Sequence, residues 1–165
     1  MNGEIETLCA KLAALAQAQG LRLATAESCT GGLVAAALTS RAGSSDWFER
    51  GWVTYSNAAK IAELGVPAVL IAHHGAVSEE VAGAMALGAR CRSGAEWAVA
   101  LTGIAGPGGG GAEKPVGTVW IAWAGPSGQL QARPYHFRGD RGAVREQAVG
   151  AALRGWIAAL EGVTP

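Results

Sequence analysis

The stretch Leu21-Arg-Leu-Ala-Thr-Ala-Glu-Ser-Cys-Thr-Gly-Gly-Leu-Val-Ala-Ala-Ala-Leu38 changes character twice. Leu21–Ala26 is a short, largely apolar run directly after Gly20, which predicts a strand. Leu33–Leu38 is built from Leu, Val and Ala, which predicts a helix. Glu27-Ser28-Cys29-Thr30-Gly31-Gly32 therefore falls at a strand-to-helix junction. Such a junction carries unpaired backbone N–H groups, so the chemistry of the chain is sought there first.

The elements on either side extend the pattern. Ile5, Leu8, Cys9, Leu12, Leu15 and Ala16 recur at helical spacing, and Gly20 ends that helix. Trp52, Val53 and Tyr55 suit a second strand, with Asn57 as N-cap of a helix through Leu64. A short helix near Pro67–Ala72 and a longer one capped by Ser78 follow, the latter with Glu79 and Glu80 at the positive end of its dipole. Trp97, Val99 and Leu101 alternate as in a strand that enters the loop Thr102–Lys114. Val116–Ala124 is strongly β-prone, Pro126-Ser127-Gly128 signals a turn, and Leu130–Phe137 returns as a hairpin partner. Asp140 caps a closing helix to about Leu160. Mixed strands and helices predict an α/β fold, a three-layer sandwich with a mixed β-sheet flanked by helices.

Composition bounds the function classes. The chain has 165 residues, half of them hydrophobic, and its 13 basic and 13 acidic residues give zero formal net charge. That length predicts a single domain over 1–165, and the composition argues against disorder. Zero net charge excludes recruitment of nucleic acid or an anionic membrane by bulk electrostatics. Three widely spaced cysteines (Cys9, Cys29, Cys91) suit reduced thiols and a cytoplasmic setting. No signal peptide or membrane-spanning run is expected. Tryptophans read as exposed, together with alanine-rich helices, suit a homodimer or higher homo-oligomer.

Three segments bear chemistry. Ser28 enters a helix through two glycines, where backbone amides can hold an oxyanion or a phosphate; an N-cap serine before a tight turn accounts for the same residues. The Gly-x-Ser-x-Gly elbow is absent. Lys60 falls in the first turn of its helix, where a cation opposes the dipole. Its pKa would drop there, letting it act as a neutral base that activates a hydroxyl, with Tyr55 relaying the proton or hydrogen-bonding the lysine. Taken alone, the segment is read better as a solvated surface lysine and a half-buried sheet tyrosine. The run Thr102-Gly-Ile-Ala-Gly-Pro-Gly-Gly-Gly-Gly-Ala-Glu-Lys-Pro115 places six glycines after a strand. It matches neither the phosphate-loop nor the dinucleotide fingerprint, which leaves an amide-rich ligand loop or a plain surface loop. His73, His74 and His136 fit no metal spacing, so no metal is expected. Arg141 and Arg145 share a helix face just after Arg138, as a phosphate clamp or as a solvated face.

Six ordered motifs carry a family resemblance. They are Thr25–Gly32 (Thr-Ala-Glu-Ser-Cys-Thr-Gly-Gly), Gly43–Phe48, Val53–Lys60, Gly75–Ala82, Ala100–Gly109 and Glu113–Trp120. Across roughly residues 5–160 the chain resembles the CinA C-terminal domain family. The resemblance implies a three-layer α/β fold. It also implies hydrolysis, without metal or other cofactor, of the carboxamide of nicotinamide mononucleotide to nicotinate mononucleotide and ammonia, in pyridine nucleotide recycling. The family's catalytic serine, tyrosine and lysine match Ser28, Tyr55 and Lys60. Its substrate-contacting positions match Ser45 and Thr102, with Gly103 beside the latter. Thr30, Gly31, Gly106, Arg141 and Arg145 complete the expected substrate-binding set. Some family proteins add a large N-terminal domain for which 165 residues leave no room, so a stand-alone amidase is expected. A regulatory, competence- or damage-associated domain that binds a pyridine nucleotide without turnover, or an amidase for another small amide, would share the fold.

Overall fold

The computed structural model describes residues 2–163. Helix α1 (Gly3–Gln19) leads into strand β1 (Leu23–Glu27), helix α2 (Leu33–Thr39) and, after a 3₁₀ turn at Ser44–Asp46, strand β2 (Phe48–Val53). Three helices follow, α3 (Asn57–Leu64), α4 (Ala68–His74) and α5 (Glu79–Ser93). Strands β3 (Trp97–Gly103), β4 (Thr118–Ala124) and β5 (Leu130–His136) complete the sheet, and α6 (Arg141–Leu160) closes the chain. The sheet order is β2-β1-β3-β4-β5. Strands β2, β1 and β3 run parallel, whereas β4 and β5 join antiparallel. The expected mixed sheet flanked by helices is therefore present.

The two faces of the sheet are filled differently. Leu23, Val99, Leu101, Val119, Ile121 and Trp123 point to one face and build a core with α1, α2 and α6. Their neighbours Ala24, Ala26, Ala98, Ala100, Ala122 and Ala124 point to the other. A face of methyl groups lets α5 lie close through Val81, Ala82, Met85, Ala86 and Ala89. At Gly88 any Cβ would overlap the Leu64 carbonyl, so α3 packs directly on the α5 backbone. Strand alternation with large residues on one side and alanine on the other is thus what seats the three layers.

Several expectations need correction. Strand β2 starts at Phe48 and ends at Val53, so Tyr55 lies outside the sheet, 59% exposed. The polar Glu49-Arg50-Gly51 stretch is strand because β2 is an edge, with Arg50 and Gly51 exposed. Gly51 is needed where any Cβ would overlap Thr25 Oγ1. Strand β1 is shifted two residues toward Leu23 and runs on to Glu27. Ser56 rather than Asn57 caps α3, its hydroxyl accepting from Ala59 N at 3.0 Å. The tryptophans are not exposed, because Trp47, Trp97, Trp123 and Trp156 are buried and Trp52 and Trp120 partly so. No helix among the described residues is long and apolar enough to cross a membrane.

Candidate active site

The chain leaves β1 toward β2 and later crosses back to β3 on the other side of β1. Carboxyl ends of parallel strands at such a reversal form a crevice. Ser28 directly follows β1 there, its own N–H donating to Leu101 O at 3.0 Å. Gly31 and Gly32 have φ of +57° and +99°, which admits the tight turn into α2. Gly32 as N-cap brings no side chain to α2. The Glu27 carboxylate does so instead, accepting from Val34 N at 2.9 Å and Ala35 N at 3.1 Å.

Lys60 reaches into the same crevice. It sits in the first turn of α3, and side chains on a helix lean toward its N-terminus. Its Nζ lies 3.0 Å from Ser28 Oγ, 2.9 Å from Thr54 O and 3.3 Å from Tyr55 O. Only 1% of Lys60 is exposed, so the solvated lysine is excluded. Desolvation lowers its pKa below the ordinary lysine value, and among the described residues no carboxylate pairs with it. All three neighbours of Nζ are oxygens; in the neutral amine two N–H bonds can go to the two carbonyls, which leaves the lone pair for the serine hydroxyl. Cys29 beside it stays a thiol, pushed up to about 11 by burial.

These groups border a cavity of about 280 Å³, which Thr102, Gly103, Gly106 and Arg141 also line. Thr102 Oγ1 donates to Ala76 O at 2.9 Å, so its hydroxyl has lone pairs left to accept. Arg141, at the start of α6, donates to Gly106 O and to the Tyr55 hydroxyl, both at 2.8 Å. A larger cavity of about 420 Å³ between Trp97, Trp123 and Gln129 has no ionisable side chain in its lining. Size does not locate the chemistry here.

Other expected residues fall elsewhere. The phenol of Tyr55 meets Arg141, so the expected phenol-to-lysine hydrogen bond is absent and only the Tyr55 carbonyl touches Lys60. Thr30 is fully buried with its hydroxyl unpartnered, outside the cavity lining. The Gly31 N–H is committed to Ser28 O at 3.0 Å, leaving the amides of Cys29, Thr30 and Gly32 without a protein partner among the described residues. Arg145 does not line the cavity; it donates to Cys29 O at 3.1 Å and Thr30 O at 3.3 Å. Ser45 is exposed in the turn that precedes β2, at the opposite end of the parallel strands. The length of β2, about 20 Å, separates it from the crevice. Among the described residues no cluster of His, Cys, Asp and Glu could hold a metal ion. The sequence reading missed Glu27, whose signal was an acid just before a turn that ends in glycine, a cap with no side chain to accept from the first amides of the helix.

Fold and site together define a three-layer α/β protein with a serine and a buried lysine in hydrogen-bond contact at its sheet reversal. Residues 5–160 match the CinA C-terminal domain, and the chain belongs to that family. It is 53% identical over 153 residues to a nicotinamide-nucleotide amidohydrolase PncC of Pseudomonas putida, covering 93% of this chain and 95% of that one. The protein of the same name in Escherichia coli K12 is 51% identical over 153 residues, 93% of each chain. The solved structure of competence/damage inducible protein CihA from Agrobacterium tumefaciens superimposes with a TM-score of 0.93 at 45% identity, covering 98% of each chain.

Proposed function

We propose that this chain hydrolyses the carboxamide of nicotinamide mononucleotide, giving nicotinate mononucleotide and ammonia. The observation that carries this reading is the 3.0 Å contact between Lys60 Nζ and Ser28 Oγ inside a buried, carboxylate-free cage. Similarity over nearly the full length to relatives named nicotinamide-nucleotide amidohydrolases supports the choice of substrate.

Neutral Lys60 takes the Ser28 proton as Oγ attacks the carboxamide carbon. Negative charge moves to the carboxamide oxygen, where the unpartnered N–H group of Cys29, which borders the cavity, receives it. The ammonium of Lys60 returns its proton to the departing nitrogen, and ammonia leaves an acyl-serine. Water, deprotonated by the same amine, then cleaves that ester and restores Ser28. Thr102 accepts a carboxamide N–H, Gly103 and Gly106 border the nucleotide with their backbone, and Arg141 at the mouth meets the phosphate. Tyr55 orients Arg141 through its phenol and Lys60 through its carbonyl.

The test is ammonia release from nicotinamide mononucleotide, nicotinamide riboside and nicotinamide by the wild type and Ser28→Ala. Release from the mononucleotide, abolished in Ser28→Ala, is expected. Binding of the mononucleotide without ammonia would replace this reading with that of a nucleotide-binding domain.

A further inference from the structure

Two charged side chains near Ser28 have no ionic partner among the described residues and do not touch the cavity: Glu27, fully buried, and Arg145, half-buried on α6. Both spend their hydrogen bonds on one short piece of backbone. Glu27 fastens the start of α2 through Val34 N and Ala35 N. Arg145, reaching from α6, holds the carbonyls of Cys29 and Thr30. We propose that Glu27 and Arg145 are positioning residues that fix the Ser28–Gly32 turn, Arg145 within it and Glu27 through the start of α2, so that the Cys29 amide is held toward the reacting group. The proposal rests on Ser28 being the nucleophile.

Peptide planarity gives the clamp its direction. In a trans peptide the C=O of one residue and the N–H of the next point opposite ways. With the Cys29 carbonyl turned to Arg145, the Thr30 N–H points away from Arg145. With the Ser28 carbonyl turned to Gly31 N, the Cys29 N–H faces away from that bond. Neither amide has a protein partner, and Cys29 borders the cavity. A guanidinium on the Cys29 carbonyl also polarises that peptide, making its N–H a stronger donor. Glu27 fixes the other end because the backbone must pass from a strand whose last carboxylate is tied to α2. Its own carbonyl accepts Thr54 N at 2.8 Å, and the carbonyl of Thr54 in turn holds Lys60. One residue thus links the turn, the helix behind it and the seat of the lysine.

This assigns Arg145 a role different from that of Arg141, one turn earlier on the same helix, which does line the cavity. A ligand for the phosphate and a clamp on the turn make opposite demands on a substrate without phosphate. The experiment therefore compares Arg145→Met, Arg145→Lys and Glu27→Gln with the wild-type chain, each checked for folding by circular dichroism and Tm. Glu27→Gln keeps the shape but sets an NH₂ against one of the two α2 N–H groups. One readout is kcat and KM for ammonia release from nicotinamide mononucleotide and nicotinamide riboside. A second, independent of substrate identity, is the rate at which diisopropyl fluorophosphate modifies Ser28, followed by intact mass.

Arg145→Met is expected to lower kcat about 100-fold for both substrates alike, with KM within about threefold. It should slow Ser28 modification by a comparable factor, with partial recovery in Arg145→Lys. Glu27→Gln should act in the same sense, and if it fails to fold the Arg145 pair decides. A KM increase confined to the mononucleotide, with modification unchanged, would overturn the proposal in favour of a phosphate ligand. Unchanged kcat and modification per folded molecule would reduce both residues to scaffold and overturn it as well, as would a wild-type Ser28 inert to the reagent. If wild-type Ser28 is modified but the mononucleotide yields no ammonia, the substrate reading alone fails and the modification rates still judge the clamp.

Discussion

Two glycine-bearing segments border the same cavity and are held in opposite ways. In the Ser28–Gly32 turn the glycines supply positive φ, and charged side chains fix the chain before and after them. In the 103–111 segment the glycines play two parts. Gly103 and Gly110 allow close packing, since a Cβ on Gly103 would lie 2.6 Å from Val119 Cγ2 and one on Gly110 2.7 Å from Val116 N. That loop is fastened by contacts at its margins, Arg141 on Gly106 O and Lys114 on His74 O, and Gly108 and Gly111 have nothing within 4 Å. Under the proposed function, the turn would hold an oxyanion with fixed dipoles, and the open positions Gly108 and Gly111 would let a nucleotide enter. The two segments would then divide those tasks.

Substitutions can break this division at graded cost. Removing the reacting pair is the largest step: Ser28→Ala or Lys60→Ala should lower kcat roughly 10⁴-fold or more while far-UV circular dichroism stays native. Next is Arg141→Ala, which should raise KM for nicotinamide mononucleotide about 10- to 100-fold and leave the riboside nearly unaffected in steady-state assays. Gly32→Ala forces a Cβ onto φ +99° and should cost about 1–3 kcal/mol in urea unfolding, with a matching loss of activity. Gly108→Ala, in the open loop, should change stability by no more than about 0.5 kcal/mol. If Gly108→Ala proved as harmful as Gly32→Ala, the contrast between a fixed turn and a yielding loop would be lost. Smallest is Lys114→Met, which frees one exposed bond and should shift KM by about threefold or less with kcat unchanged.

Much of this was legible in the residues. Apolar runs broken by glycine placed most elements to within a few residues, and Lys60 in a helix first turn pointed to a perturbed amine. What escaped reading depends on contacts across the fold. Strand β2 carries Glu49, Arg50 and Gly51 because a neighbour's Thr25 and an open edge tolerate them, which local propensity does not encode. Ser56 and Asn57 are both good caps, and the position of Ala59 N chose between them. Ser45 stands in a motif close in sequence to Tyr55, yet it lies before β2 and Tyr55 after it, so the strand carries them to opposite ends. Arg141 and Arg145 share a face, but a shared face does not say what lies against it; one meets the cavity and the other meets a turn. Alternation identified the strands without revealing that the buried centre of one face is alanine, since that requires knowing which strands are neighbours.

The claim at the centre of this account is that a neutral Lys60 activates Ser28. Burial lowers the lysine pKa, so the reactive amine is present above a pH lower than an ordinary lysine would need. Activity should rise with pH through that lowered value and then level off. The direct test is the pH dependence of kcat/KM for ammonia release by the wild type beside Lys60→Ala. A rising limb with its midpoint below the ordinary lysine value of 10.5, lost in Lys60→Ala, is the predicted result. A midpoint at that ordinary value, or the same limb surviving in Lys60→Ala, would contradict it.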